Sequence, residues 1–213
     1  MIVKDDAISM SVIRRLPRYY RFLYDLKQNG ITRTSSRELA ERMGLTASQI
    51  RQDFNCFGEF GQQGYGYSVD QLYEAIHRIL GVDTLSRAVV LGAGNLGHAL
   101  INHMSFETKG FELVGIFDDA ETLIGTTIRG ITVQSTATLE EFCSTVSPKL
   151  AILCVPKEAA PVLVERLYRC GINAFWNFSH YDIALHYPQA VVENVHLGDS
   201  LMTLSYRMNK NES

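Results

Sequence analysis

Apolar positions recur with helical spacing over the first 80 residues. Over 14–26, Tyr19, Phe22, Leu23 and Leu26 fall at spacings of 3, 4 and 7, which predicts a helix with Pro17 in its first turn and Asn29-Gly30 at its end. Ser35-x-x-Glu38 has the form of a capping box and opens a helix through Met43, which Gly44 stops. Thr46-x-x-Gln49 opens another through Cys56, and Ser68-x-x-Gln71 a third through Leu80, ended by Gly81. Leu39 and Met43, Ile50 and Phe54, and Leu72, Ile76 and Leu80 supply the inward faces. The turn 43–46 has the length and glycine of a helix-turn-helix, and the alternating aromatic and glycine residues of 58–67 predict a β-hairpin with Gln62-Gln63-Gly64 at its tip. Three helices followed by a hairpin make a winged helix.

Beyond residue 82 the pattern changes to continuous apolar runs separated by helical stretches. Strands are predicted at 87–91, 112–117, 131–133, 149–154 and 173–177, and helices at 95–105, 138–145 and 157–169. Runs such as 150–155 do not alternate, as expected of strands buried on both faces of a parallel sheet. The fold class is therefore α/β, a Rossmann-like doubly wound sheet behind an N-terminal winged helix. A last stripe, Leu197, Leu201, Leu204 and Met208, predicts a terminal helix that packs on its own domain or crosses to a partner chain. The expected domains are 1–82, 83–195 and a terminal helix and tail at 196–213.

The first apolar run ends in Gly92-Ala93-Gly94-Asn95-Leu96-Gly97. Gly92 suits the turn, Gly94 a close backbone approach and Gly97 helix–strand packing, while the helix N-terminus favours a pyrophosphate. The second run ends at Asp118-Asp119, 21 residues after Gly97, where a dinucleotide fold places a ribose-hydroxyl acceptor. A carboxylate there repels a 2′-phosphate, so NAD(H) is favoured over NADP(H).

Hydrophobic residues make up 46% of the 213, enough for a substantial core, and no apolar run approaches a membrane span. Cys56, Cys143, Cys154 and Cys170 form no C-x-x-C pair, and the N-terminus lacks a signal-peptide pattern, which fits a cytoplasmic protein. The net charge of −3 conceals nine basic against three acidic residues over 14–51. A surface of that kind suits phosphate contact. With Ile50 and Phe54 facing inward, Ser48, Arg51, Gln52 and Asn55 are free to enter a major groove. Arg51 can pair with guanine and Gln52 with adenine. Ser35, Ser36 and Thr46 can donate to phosphates or act as plain helix caps. Arg14, Gln49 and the hairpin residues Gln63, Gly64 and Tyr65 complete the expected DNA-contact set.

Taken together, Arg15-Leu-Pro-x-Tyr-Tyr, Ser35-Ser36-x-Glu-Leu-Ala40, Gln49-Ile-Arg-x-Asp53-Phe, Phe57-Gly-Glu-Phe-Gly61 and Gly64-x-Gly-Tyr67 resemble the Rex redox-sensing transcriptional repressors. The glycine-rich turn, Phe117-Asp118, Val155-Pro156, Gly171-Ile172 and Asn177-Phe178 extend the resemblance over 14–206. It implies a homodimer with a swapped last helix that binds a palindromic operator and leaves it as the NADH/NAD⁺ ratio rises. By motif position, Gly92 to Gly97 would hold the pyrophosphate, Asp118 the adenosine ribose, and Val155-Pro156 would border the nicotinamide. The chain departs from the family pattern at Gln52, Gln62 and Gln63, where Lys or Arg is usual, at His103 for a common Tyr, and at His196 for a common Asp. An NAD-dependent oxidoreductase would need a general acid/base beside the nicotinamide. His98, His103, His180, His186 and His196 are available, but none sits in a catalytic motif. A winged helix with another nucleotide ligand, such as coenzyme A, is opposed by the pairing of the glycine motif with Asp118.

Overall fold

The computed structural model describes residues 8–58, 61, 62 and 66–211. The chain divides into two units, Met1–Asp83 and Thr84–Ser213. In the first, α1 (Met10–Ile13) and α2 (Leu16–Gln28) lead through β1 (Arg33–Thr34) to α3 (Ser36–Met43) and α4 (Ala47–Asn55). Then come β2 (Gly61–Gln62), β3 (Gly66–Ser68) and α5 (Val69–Ile79). Leu16, Tyr19, Leu23, Leu39, Ile50, Phe54, Leu72 and Ile76 form one buried cluster, so each predicted stripe faces the same centre. Gly44 ends α3 in the left-handed region (φ 63°), which lets the chain turn into α4 within three residues.

The hairpin pairs Gly61 with Tyr67 and Gln62 with Gly66, antiparallel. β1, which the sequence pattern did not predict, adds to the other side of β3 through Arg33↔Ser68 and Thr34↔Tyr67. Gly66 has φ +70°, and a Cβ there would lie 2.6 Å from the carbonyl oxygen of Thr34, so only glycine allows this close pairing. Tyr67 meets Phe54 edge-on at 5.1 Å, tying the wing to α4. Gln63, Gly64 and Tyr65, and the strand residue Phe60, lie outside the described residues.

The second unit contains β4 (Ser86–Leu91), α6 (Asn95–His103), β5 (Phe111–Asp118), β6 (Thr127–Ile128) and β7 (Ile131–Ser135). It continues through α7 (Leu139–Val146), β8 (Leu150–Leu153), α8 (Ala160–Arg169) and β9 (Ala174–Asn177) to α9 (Ile183–His186), β10 (Val191–Asn194) and α10 (Leu197–Asn211). The sheet order is β10-β9-β8-β4-β5-β7-β6, parallel except for the β6–β7 pair. Val89, Leu91, Ala151, Leu153 and Phe175 share one core with Cys143 of α7 and Leu163 and Leu167 of α8. Ala88, Val90, Ile116 and Ile152 share the other with Ile101 of α6. This is the doubly wound sheet predicted from the uninterrupted apolar runs. A short hairpin replaces a helix between β5 and β7, and β6, α9 and β10 are further elements that the pattern did not reveal. Every residue of α10 from Leu197 to Lys210 is exposed.

Candidate functional site

The helix-turn-helix is assembled around one buried carboxylate. Arg15 donates to both oxygens of Asp53 at 2.7 Å, Tyr19 donates at 2.7 Å and Gln49 at 2.9 Å. Burial pushes the Asp53 carboxyl up, but the hydrogen bonds from Arg15, Tyr19 and Gln49 and the Arg15 charge outweigh it and hold the group below the usual carboxylate range. Burial and the bond to Asp53 push the Tyr19 phenol up. The network fixes α4 against α2, and it occupies two residues that sequence reasoning placed at the surface. Arg15 belongs to the basic stretch, yet its guanidinium turns inward. Gln49, expected among the DNA contacts, gives its side-chain amide to Asp53. Gln49 and Asp53 lie one helical turn apart, and that spacing was the available signal.

Ser48, Arg51, Gln52 and Asn55 are all exposed on α4, while Ile50, Asp53 and Phe54 are buried. One face of the helix is thus held and the other is free for a groove. Arg51 Nη1 donates to Ser36 Oγ at 3.2 Å, which brings the start of α3 beside the middle of α4. Ser35 closes its capping box: Ser35 Oγ accepts from Glu38 N, and Glu38 Oε2 accepts from Ser35 N at 2.8 Å. Thr46 Oγ1 accepts from Gln49 N at 3.1 Å, but no return bond forms because Gln49 has turned to Asp53. A capping hydroxyl that accepts still has its proton to donate, so Ser35 and Thr46 can cap and contact a phosphate at once. Arg14 is exposed beside the first turn of α2.

In the second unit, β4 runs into Gly92 (φ +94°), whose N–H donates to the carbonyl of Phe117 at 2.8 Å. A Cβ on Gly92 would lie 2.5 Å from the carbonyl oxygen of Cys154, and one on Gly97 would overlap the carbonyl oxygen of Gly92. Both glycines are therefore fixed by packing between the turn, α6 and β8. Gly94 differs: a Cβ there would meet nothing within 4 Å. Its position is open on the side from which a ligand would approach. No side chain caps α6, and the first helical bond is His98 N to Gly94 O at 2.8 Å. The N–H groups of Asn95, Leu96 and Gly97 are thus left without helical acceptors, as at any helix N-terminus. Ala93 N–H is already taken, donating to Asp118 Oδ2 at 2.7 Å.

Asp118 therefore stands beside the glycine turn, with its other oxygen accepting from Ala120 N at 2.8 Å. Asp119 points elsewhere: its Oδ1 accepts from Thr136 Oγ1 at 2.7 Å and Thr136 N at 3.2 Å, which joins the end of β5 to the end of β7. Val155 lies against the turn, 3.1 Å from where a Gly92 Cβ would be, and Pro156 follows it into solvent at the carboxyl end of β8. Open backbone at Gly94, unpaired N–H groups and a carboxylate at the next strand end fit a dinucleotide. The residues Gly92 to Gly97, Asp118, Val155 and Pro156 come together at one edge of the sheet, and Asp119 lies beside them.

The same edge holds residues to which sequence reasoning gave no role. Buried Asn177 donates to Tyr181 O and Asn194 Oδ1, both at 2.8 Å, and accepts from Ser179 N and Ser179 Oγ. It joins the end of β9, the loop after it and the end of β10. Asn177-Phe178 was visible only as a motif, since a buried amide carries no periodicity.

A family model of DNA-binding protein N-termini matches residues 7–55, and one for CoA binding domains matches residues 83–181. The redox-sensing transcriptional repressor Rex of Thermoanaerobacter sp. strain X514 is 51% identical over 209 residues, covering 98% of this chain and 93% of that protein. The Rex repressor of Clostridium beijerinckii is 47% identical over 211 residues and 99% of both. Among solved structures, RSP in complex with β-NAD⁺ and operator DNA is similar with a TM-score of 0.86 at 50% identity, covering 96% of this chain and 94% of that one. RSP in complex with β-NADH gives 0.87 at 48% identity and 96% of both. With relatives of this identity along nearly its whole length, the chain belongs to the Rex family of redox-sensing transcriptional repressors.

Proposed function

We propose that two copies of this chain bind a palindromic operator through α4 and the wing, and release it when NADH occupies the glycine cradle. The observation that carries this reading is the presence in one chain of two prepared surfaces. One is a reading helix with Ser48, Arg51, Gln52 and Asn55 exposed, and the other a helix N-terminus with open Gly94 beside Asp118. NAD(H), when bound, would supply the redox information; Gly92 to Gly97 would hold its pyrophosphate, Asp118 its adenosine ribose, and Val155-Pro156 would border its nicotinamide. The relatives solved with NAD⁺, NADH and operator DNA support the same ligands here. NADH acts by population shift, to the extent that it binds the released arrangement more tightly than the operator-bound one.

Homodimer formation through α10 fits its exposure: Leu197, Leu201, Leu204 and Met208 are 50–68% accessible. The sheet face at Leu150, Ile152, Ala174, Trp176 and Val191, which lines a hollow of about 450 Å³, is an apolar surface of matching character. Swapping α10 between copies buries the stripe. The chain acts as a regulator in the cytoplasm and not as an enzyme. Its relatives are named repressors, and among the described residues no helix is long and apolar enough to cross a membrane.

The test is operator binding by fluorescence anisotropy at fixed salt with NADH and NAD⁺ titrated separately. NADH is expected to release the operator at concentrations where NAD⁺ does not. Equal responses to the two would remove the redox-sensing claim and leave the repressor claim standing. Because residues 83–181 match a model of CoA binding domains, coenzyme A serves as the control ligand in the same titration, where it is expected to have no effect.

A further inference from the structure

His180 and His196 meet at the carboxyl edge of the sheet with Nδ1 to Nδ1 at 2.8 Å. Their planes are within 20° of parallel, and their ring centroids are 4.8 Å apart. That separation is close to the largest a 2.8 Å contact allows, so the rings lie end to end rather than face to face. Such a contact needs one proton between the two nitrogens. It forms when the rings adopt complementary tautomers, or when one is charged and donates to the other. It fails when both are charged, because two N–H groups then face each other.

The pair is held from both sides. His180 has a left-handed backbone (φ 60°) in a loop that Asn177 fixes through Ser179 and Tyr181. His196 directly precedes α10, and Asn194, two residues earlier, accepts from the same Asn177. The titratable groups on the elements that meet here are Tyr181 and Asp182 after β9, His186 and Tyr187 around α9, Glu193 on β10 and Asp199 in the first turn of α10. Among the described residues, none of them hydrogen-bonds to either imidazole, and no third metal-ligating side chain joins the pair. A second positive charge would also oppose the dipole at the N-terminal end of α10.

We propose that His180 and His196 are positioning residues that form a single-proton clasp, fixing the root of α10 to the loop after β9 and opening when both are protonated. The consequence for regulation rests on the function proposed above: with the root of α10 loose, NADH becomes less effective at releasing the operator. The clasp itself does not depend on that reading. Acid supplies the second proton, so the clasp opens as pH falls.

Hydrogen exchange of the full-length protein without ligand, followed over 194–204 at pH 7.5 and 5.5 and corrected for the chemical exchange rate, tests the clasp. Wild-type protection is expected to fall severalfold at the lower pH. In His196→Asn the amide occupies the place of Nδ1 without titrating, so protection should be retained equally at both pH values. His196→Leu should lack it at both. Equal wild-type protection at the two pH values, or the same fall in His196→Asn, would overturn the proposal. In the operator assay, the NADH concentration for half-release is expected to rise on the order of fivefold at pH 5.5 in the wild type and to stay constant in His196→Asn. If NADH releases no operator at any pH, the functional reading fails, while the exchange result still decides the clasp.

Discussion

Asp53 is a charge kept in the interior by four donated hydrogen bonds, and its removal has a calculable cost. Asp53→Asn leaves the Arg15 guanidinium half-buried without its counter-charge. The winged-helix unit is expected to lose about 3 kcal/mol, measured by urea unfolding of the full-length protein. The pH dependence follows from the depressed carboxyl. Its stabilisation is complete above the ordinary carboxylate range and is lost as pH falls through the lower folded-state value, so acid weakens the wild type as pH drops through and below the ordinary carboxylate range. The Asn variant should lose less over that interval. The glycines make an equally local prediction. Gly97→Ala forces a Cβ into the Gly92 carbonyl and should destabilise the second unit. Gly94→Ala meets no protein atom, so it should melt as the wild type does while NADH affinity drops roughly tenfold or more in a calorimetric titration.

The elements that were legible in the sequence were those whose own residues carry the signal. The α2 stripe, the Ser35–Glu38 box and the continuous runs of β4, β5 and β8 each state their environment locally. β1 and β6, at two residues each, are too short to show a period, and they exist because a partner strand is already in place. Thr46 and Gln49 have the residues of a capping box yet form half of one, because Asp53 competes for the Gln49 amide one turn on. The cradle could be read from glycine spacing, since Gly92 and Gly97 answer to backbone clashes that any dinucleotide turn contains. The Asn177 junction and the His180–His196 contact could not, since both depend on loops that meet only after β9 and β10 have paired. On α4, where Gln52 replaces a usual cation, Gln52→Lys should tighten non-specific DNA binding and steepen the log–log salt slope by about one. Arg51→Ala should cost about 1–3 kcal/mol against operator and little against random sequence, in the same anisotropy assay.

At the scale of the whole molecule, α10 has no cover of its own among the described residues. Deleting 196–213 is expected to convert the proposed dimer into a monomer in sedimentation velocity and to weaken operator binding, because two half-sites are then read independently. Single substitutions on the stripe, such as Leu201→Asp, should act in the same direction to a smaller extent. With that stripe shielded by the pairing proposed above, the melting temperature should climb as the protein is concentrated. The same mass action reaches gene control. For the proposed dimer near its dissociation constant, halving the number of chains would remove more than half of the functional pairs, so dosage of this repressor would be read more steeply than in proportion.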